Sequence, residues 1–407
     1  MKQVTFMHWA DLHLDSPFKG LKHLPENIFK RLQDSTFKAL ANMTDEAIQK
    51  AVDFVIIAGD VFDGENRSLR AQARFRGEMA KLAEKGIPAY IIHGNHDHLG
   101  GTWMKLEMPE NVHIFAGEVE IKKFAKQDET TVHLYGFSYP ERHLTDRWID
   151  RYQKKEGADF HIGILHGHFE GASDHDKYAP FRLGDLYEKQ FDYWALGHIH
   201  KRQVLSEEPP VIYPGNPQGR NPKEQGEKGF YTVSLTERGT RYEFLPSHDV
   251  QWLEMKLDFS QAASPGSLFD ACRQAVSEVR SEGKGVILSL EIEHAHMLDP
   301  DAETMLQSGE LLEILQEEEK DENSFVWVRD LTIGDMAGID RNLAAAKGDF
   351  FEDLFSEIDG FDRWHEGLMP LFSHNAARRH LEGLNEEEKK QVLLEAETRL
   401  LQLLAQD

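Results

Sequence analysis

Five short apolar runs in the first 200 residues, VTFMHWADLH, FVIIAGDVFD, AYIIHGNHDH, FHIGILHGH and YWALGHIH, each end in Asp, Asn or His. A β-branched or aromatic run of this length, bounded by Gly, Asp or Asn, reads as a buried strand, and stretches between the runs, such as RAQARFRGEMAKLAEKG, carry a helical pattern. Strand alternating with helix predicts an α/β sandwich of mixed sheets flanked by helices. In such sheets the functional side chains collect where strands give way to loops. Each run sets its polar residues at that point, so five strand ends can share one site.

The remaining chain reads more coarsely. Residues 119–139, VEIKKF then QDET then TVHLYGFSY, predict a hairpin, and a further strand pair is expected at VIYP and GFYTVSL. From about residue 250, WLEMKLDF reads as a strand, LFDACRQAVSEVRSE as a helix and VILSLEIE as another strand, a small α/β unit of its own. Beyond it the pattern is mostly helical, with one strand candidate in SFVWVRDL. The expected segments are therefore 1–248, 249–340 and 341–407. In the last, Asn385 is a plausible N-cap with Glu388 three residues on, and Leu393, Ala396, Leu400 and Leu404 form an apolar stripe. Such a terminal helix packs on its own domain or docks on a partner.

Charge limits the function classes. The chain carries 46 Lys and Arg against 71 Asp and Glu, a net charge of −25, which excludes a generally basic DNA-coating protein. The acidity is uneven: residues 1–250 hold 32 basic and 37 acidic side chains, residues 251–407 hold 14 and 34. With 40% hydrophobic residues the chain can bury a core, and its single cysteine, Cys272, permits no internal disulfide. No signal sequence or apolar run of about 18 residues is present, so a soluble cytoplasmic protein without membrane contact is expected. Histidine runs against the acidity, with 15 of 21 in the first 200 residues.

Those histidines lie in metal-ligand patterns. Asp11 and His13, two apart at an extended strand end, can point at one ion. Asp60 can bridge two ions through its two oxygens. Asn95 offers a neutral oxygen beside the imidazole of His96, and His166, His198 and His200 add further imidazoles. Singly these read as turn residues, a helix cap or satisfied core histidines; in fixed order after β-like runs they point to a metal site. Carboxylate, imidazole and amide oxygen without thiolate suit manganese, iron or zinc, and the ligand count fits two ions. A metal pair can bind a phosphate and activate water, so the expected reaction is hydrolysis of a phosphate ester.

The set DLH, GDVFD, GNHD, LHGH and GHIH resembles the calcineurin-like metallophosphoesterases. DLHLDSPFKGL, GNHD and YPGNPQGR are most similar to the YhaO-type DNA repair exonucleases, relatives of SbcD. The resemblance implies that Asp11, His13, Asp60 and His200 surround the first metal, and that Asp60, Asn95, His166 and His198 surround the second. It makes His96 the non-ligand histidine that contacts the scissile phosphate and protonates the leaving oxygen, and Asp97 is a candidate support for it. Between His166 and His168 in LHGH, His166 is favoured because it directly follows the strand IGIL. Asp63 stands where some relatives carry His, so any substrate role there is open. Arg220 is a candidate phosphate or DNA-backbone contact. His175 and Lys177 line the entrance or are solvated, and Lys122, Lys123 and Lys126 read as a solvated basic face.

Function follows in three forms. The first is a manganese-dependent 3′ to 5′ exonuclease on DNA ends, with a capping domain after the phosphoesterase domain. The resemblance implies a homodimer and a coiled-coil SbcC/YhaN-like ATPase partner, met by the acidic C-terminal part. The second is a metal-dependent phosphatase or phosphodiesterase of a small nucleotide, and the third is a non-catalytic scaffold.

Overall fold

The structure is a computed structural model. It describes residues 2–21, 24–64, 68–101, 104, 106–171, 178–261, 263–334, 349–364, 389–390, 392–393, 396–397 and 400. These fall into two compact units. Met1–Glu254, Gln274–Ser289 and Leu315–Arg329 form the first, and Met255–Arg273, Leu290–Ile314 and Asp330–Asp407 the second.

In chain order the strands of the sandwich are β1 (Gln3–Trp9), β2 (Phe54–Ala58), β3 (Ala89–Ile92), β4 (Val112–Ile114), β5 (Glu120–Ala125) and β6 (Thr131–Gly136). They continue with β7 (Phe160–His166), β8 (Tyr193–Gly197), β9 (Gln203–Glu207), β10 (Pro210–Tyr213), β11 (Gly229–Thr236) and β12 (Gly239–Pro246). Two six-stranded mixed sheets result, ordered β12-β11-β1-β2-β3-β4 and β5-β6-β7-β8-β10-β9. β1 to β4 run parallel, as do β6, β7, β8 and β10. Strands covered on both faces need no polar alternation, which is why FVIIA of β2 and FHIGILH of β7 are buried throughout.

Phe6, Phe54, Ile56 and Ile92 of one sheet pack against Leu134, Ile162, Ile164 and Tyr193 of the other. Helices α1 (Glu26–Gln49) and α2 (Leu69–Glu84) cover the outer face of the first sheet. In α1 the buried Ile28, Leu32, Leu40, Met43 and Ala47 recur at helical spacing, and in α2 Phe75, Met79 and Leu82 do the same. Ser68 caps α2, its hydroxyl accepting the Ala71 N–H at 3.0 Å. The short α3 (Leu183–Glu188) and a 3-10 turn at Trp148–Arg151 pack on the second sheet through Leu186, Trp148 and Ile149.

The 119–139 hairpin forms, as β5 and β6 in antiparallel register. VIYP and GFYTVSL are both strands but do not pair: β10 lies between β8 and β9, while β11 joins β1 and β12 in the other sheet. A third, three-stranded sheet contains β13 (Val250–Asp258), β14 (Gly285–Glu293) and β15 (Val326–Ile333). With α4 (Pro265–Val279), a 3-10 turn at Ala295–Met297, α5 (Pro300–Ser308), α6 (Glu310–Glu318) and α7 (Asp349–Asp359), these are the elements after residue 248 among the described residues. The 249–340 segment is thus divided: β13, β14, β15 and α4 each run across the limits of both units, and the first unit takes back two pieces of chain. Within the first unit Ile287 and Phe325 bury against Phe18, Leu21 and Ile28. Within the second, Leu393 packs on Phe355 and Ile358 of α7 while Leu400 is exposed; Asn385, Glu388 and Leu404 lie outside the described residues. No described helix is long and apolar enough to cross a membrane.

One histidine of the sandwich core makes stability depend on pH. His8 is fully buried between the sheets, with Nε2–H donating to the Leu196 carbonyl at 3.1 Å and Nδ1 accepting from the Tyr193 hydroxyl at 3.0 Å. Burial lowers its imidazole to about 3, against the opposing bond to Leu196. The unfolded chain therefore binds a proton near the ordinary value of 6.5 that the folded chain refuses until about pH 3. Stability present above pH 6.5 is lost as pH falls through this window, by about 5 kcal/mol from this residue. Urea unfolding at stepped pH should show a shallower acid loss for His8→Gln than for the wild type.

Candidate metal centre

The C-terminal ends of β1, β2, β3, β7 and β8 meet at one place, so the loops that follow them bring their polar residues together. The turns are tight. Asp11, His13, Asp60 and His198 all have positive φ, a conformation costly for non-glycine residues and held here by hydrogen bonds between loops. The Asp11 N–H donates to the Gly59 carbonyl at 3.1 Å, and the His13 N–H to the Asp60 carbonyl at 3.0 Å. The His198 N–H donates to Asp11 Oδ1 at 3.0 Å, tying β8 to β1.

Three overlapping groups of metal-ligand atoms result: Asp11, His13 and His200; His13, Asp60 and His96; and Asp11, Asp60 and His166. Asp60 Oδ2 lies 3.7 Å from His13 Nε2 and 3.4 Å from His166 Nε2, between the two sides of the cluster. Asn95 turns its Oδ1 to His166 Nε2 at 3.0 Å. The His198 ring stands 5.3 Å from that of His166, centroid to centroid. Of the two histidines in LHGH, His166 joins Asp11 and Asp60, while the His168 ring is 6.5 Å from His198.

The donor chemistry fits divalent ions. His13 Nδ1–H donates to Asp63 Oδ1 at 3.0 Å and His200 Nδ1–H to Glu224 Oε1 at 2.8 Å. Both Nε2 atoms then carry lone pairs, yet they face each other at 3.0 Å. Two acceptors at that distance call for a cation, and about 3 Å is the spacing of neighbouring ligands each ~2.1 Å from one metal. His166 repeats the arrangement: Nδ1–H donates to the Ala58 carbonyl at 2.9 Å, leaving Nε2 to face the Asn95 oxygen.

Electrostatics agree. Burial, and then the charge of Arg220, lower the His13 imidazole to about 3 and keep it neutral. Burial alone would lower His166 too, but Asp60 and Asp11 outweigh it and raise that imidazole to about 9. Two buried carboxylates thus draw positive charge to this point. Asp60 itself is held well below the usual carboxylate range, because His166 and His13 overcome its burial.

Two glycines make room for this cluster. A Cβ on Gly59, whose φ is +95°, would sit 2.3 Å from His166 Nδ1, and one on Gly94 would sit 2.3 Å from Asp60 Oδ1. Gly59→Ala therefore combines left-handed strain with a clash against a ligand, and should cost about 2–4 kcal/mol. Thermal melting and metal content after dialysis would test this; a variant with unchanged melting and metal content would contradict it.

The supporting residues differ from expectation. Asp97 Oδ2 accepts from His93 Nδ1 at 2.9 Å and from the Val61 N–H at 2.9 Å, and its Oδ1 from the Gly94 N–H at 2.8 Å. It braces the loop, and the carboxylate facing His96 Nδ1, at 3.7 Å, belongs to Asp63. The Arg220 side chain is only 13% exposed. Its Nη1 donates to Asp63 at 2.9 Å and its Nη2 to Glu224 at 3.2 Å, so both ends are occupied by carboxylates. Glu224 and Asn216 were not foreseen; only the spacing of Glu224 four residues after Arg220 hints at the pair. Burial opposes the charge of Glu224, but His200 and Arg220 outweigh it and hold the carboxyl far below its usual range. Lys126 pairs with Asp53 at 2.9 Å and Lys122 with Glu120 at 3.1 Å, away from the centre; His175 and Lys177 lie outside the described residues.

Comparison with known proteins accords with this geometry. Residues 4–202 match the calcineurin-like phosphoesterase family. The chain is 44% identical over 402 residues, 98% of its length and 97% of the other, to the uncharacterized metallophosphoesterase YhaO of Bacillus subtilis. More distant similarity, 28% over 233 residues, links 54% of the chain to 57% of the DNA double-strand break repair protein Mre11 of Thermoplasma acidophilum. One component of the SbcCD nuclease of Bacillus subtilis is 24% identical over 291 residues, 62% of this chain and 70% of that one. With its strand ends converging on paired carboxylates and imidazoles, and with a family match across that same region, the chain belongs to the calcineurin-like metallophosphoesterases.

Proposed function

We propose that this protein is a two-metal phosphodiesterase that removes nucleotides from DNA ends, a 3′ to 5′ exonuclease of DNA repair using Mn2+. The placement of His96 carries the reading. Its backbone N–H donates to Asp60 Oδ1 at 3.0 Å and its ring packs edge-on against His13, with centroids 4.9 Å apart. The side chain is 35% exposed, so an imidazole stands beside a buried ligand set with one side open to an incoming ester. Asp11, His13, Asp60 and His200 would hold one ion, and Asp60, Asn95, His166 and His198 the other. When bound, the ions supply Lewis acidity toward the phosphoryl group and offset charge on the leaving oxygen. His96 binds the scissile phosphate and gives the leaving oxygen its proton. Arg220 orients His200 and Asp63, a more indirect part than a clamp on DNA.

DNA as substrate is supported by the similarity to Mre11 and to a component of a nuclease, together with the near-balanced charge of residues 1–250. The same reading includes a homodimer that works with a coiled-coil SbcC/YhaN-like ATPase in the cytoplasm. The deciding experiment follows Mn2+-dependent release of nucleotides from end-labelled linear DNA, with bis-para-nitrophenyl phosphate alongside. Release from DNA that weakens as salt rises is expected. Cleavage of the generic diester alone, with and without the ATPase partner, would favour a small nucleotide substrate.

A further inference from the structure

The geometry points to Glu224 as a positioning residue of the metal centre, holding His200 as the Nδ1–H tautomer so that its Nε2 lone pair faces the ions. This rests on the two-metal reading above. Glu224 lies in the loop between β10 and β11, is 8% exposed, and has its acceptor positions filled by donors. Oε1 accepts from His200 Nδ1 at 2.8 Å and from Arg220 Nη2 at 3.2 Å; Nη2 also lies 3.2 Å from His200 Nδ1, so the shorter bond to the carboxylate is the one that sets the tautomer. Oε2 accepts from Asn216 Nδ2 at 2.7 Å and from the Arg220 N–H at 2.8 Å.

A ring of contacts follows. Arg220 joins Glu224 to Asp63, Asp63 accepts from His13, and the ring closes where His13 Nε2 meets His200 Nε2 at 3.0 Å. Lys228 Nζ, from the same loop, donates to the His200 carbonyl at 3.1 Å and holds its backbone. Two imidazoles on different loops are thereby aimed at one point by a single guanidinium and two carboxylates, none of them a ligand in the reading above.

The role needs a carboxylate, because four donors converge on it. In Glu224→Gln an amide group must face one pair of them. The Arg220 backbone N–H cannot become an acceptor, and Asn216 Nδ2 also donates to the Gln218 carbonyl at 2.7 Å. An imidazole can change tautomer, so His200 is the partner that yields. Its proton moves to Nε2 and covers the lone pair meant for the ion.

The test has two parts. In metal-free wild type, 15N NMR of the histidine rings should show His200 protonated at Nδ1; protonation at Nε2 would overturn the proposal without any variant. Calorimetric titration with Mn2+ of Glu224→Gln should show one of two sites weakened about 10- to 100-fold and the other nearly unchanged. Glu224→Asp, which keeps the charge, should recover part of this. Equal weakening of both sites together with a lower melting temperature marks a merely structural role, and wild-type affinity in Glu224→Gln also overturns the proposal. A wild type that binds Mn2+ and shows the Nδ1–H tautomer but leaves DNA intact defeats the nuclease reading and leaves Glu224 in its role.

Discussion

Asp60→Asn should cut Mn2+-dependent hydrolysis of any phosphodiester by at least about a thousandfold, because it removes the carboxylate shared by both sides of the cluster. Asp60 belongs to two of the three ligand groups, one with His13 and one with Asp11 and His166. Its Oδ1 already accepts the His96 N–H at 3.0 Å, so Oδ2 is the atom turned to both sides of the cluster. An asparagine that keeps the bond from His96 sets an amide nitrogen in place of Oδ2, and an amide nitrogen has no lone pair for an ion. The change removes a buried charge and a shared ligand together. The measurement is thermal melting with and without Mn2+. A ligand at a hundred times its Kd stabilises by about 2.7 kcal/mol, and the variant should lose that increment. Persistence of the Mn2+-induced shift would contradict Asp60 as the shared ligand.

His96→Ala should behave differently. Metal binding stays, because His96 is the most exposed of the clustered imidazoles and the ligand sets assigned above do not include it. DNA cleavage falls by about 10²- to 10⁴-fold, the usual contribution of a positioned proton donor. Bis-para-nitrophenyl phosphate separates the roles, since nitrophenolate departs without a proton and its cleavage should fall by less than about tenfold. Comparable losses on both substrates would assign His96 to phosphate binding instead of proton transfer. Loss of Mn2+ would make it a ligand.

The centre was legible because parallel strands end at the same edge of a sheet. Asp11, Asp60, Asn95, His166 and His198 each follow a run that became β1, β2, β3, β7 or β8, and topology alone gathers them. The helical pattern of RAQARFRGEMAKLAEKG likewise became α2. What surrounds the ligands was less legible. Glu224 and Asn216 sit in a loop with no periodicity, and their contacts with His200 cross between loops. Asp97 looked like a support for His96 because it is adjacent in sequence; in the fold it fastens His93. Arg220 read as a phosphate or DNA-backbone contact because its loop motif carries one guanidinium; here the carboxylates of Asp63 and Glu224 occupy it. The pairing of VIYP with GFYTVSL failed for a related reason: propensity marks strands, while the partner of each is set by which sheet it joins.

The first unit's return for Gln274–Ser289 and Leu315–Arg329 has a consequence for synthesis. Chains emerge from the ribosome N-terminus first, at about 5–20 residues per second, and a domain closes once its last piece is out. Every proposed metal ligand has been made by His200, yet the apolar cluster of Phe18, Leu21 and Ile28 waits for Ile287 and Phe325. The nascent chain therefore carries an assembled set of ligand strands on an unfinished body for more than a hundred residues of translation. A gene cut after residue 254 leaves the protein permanently at that stage, and a catalytic fragment must extend past Arg329 to be born whole.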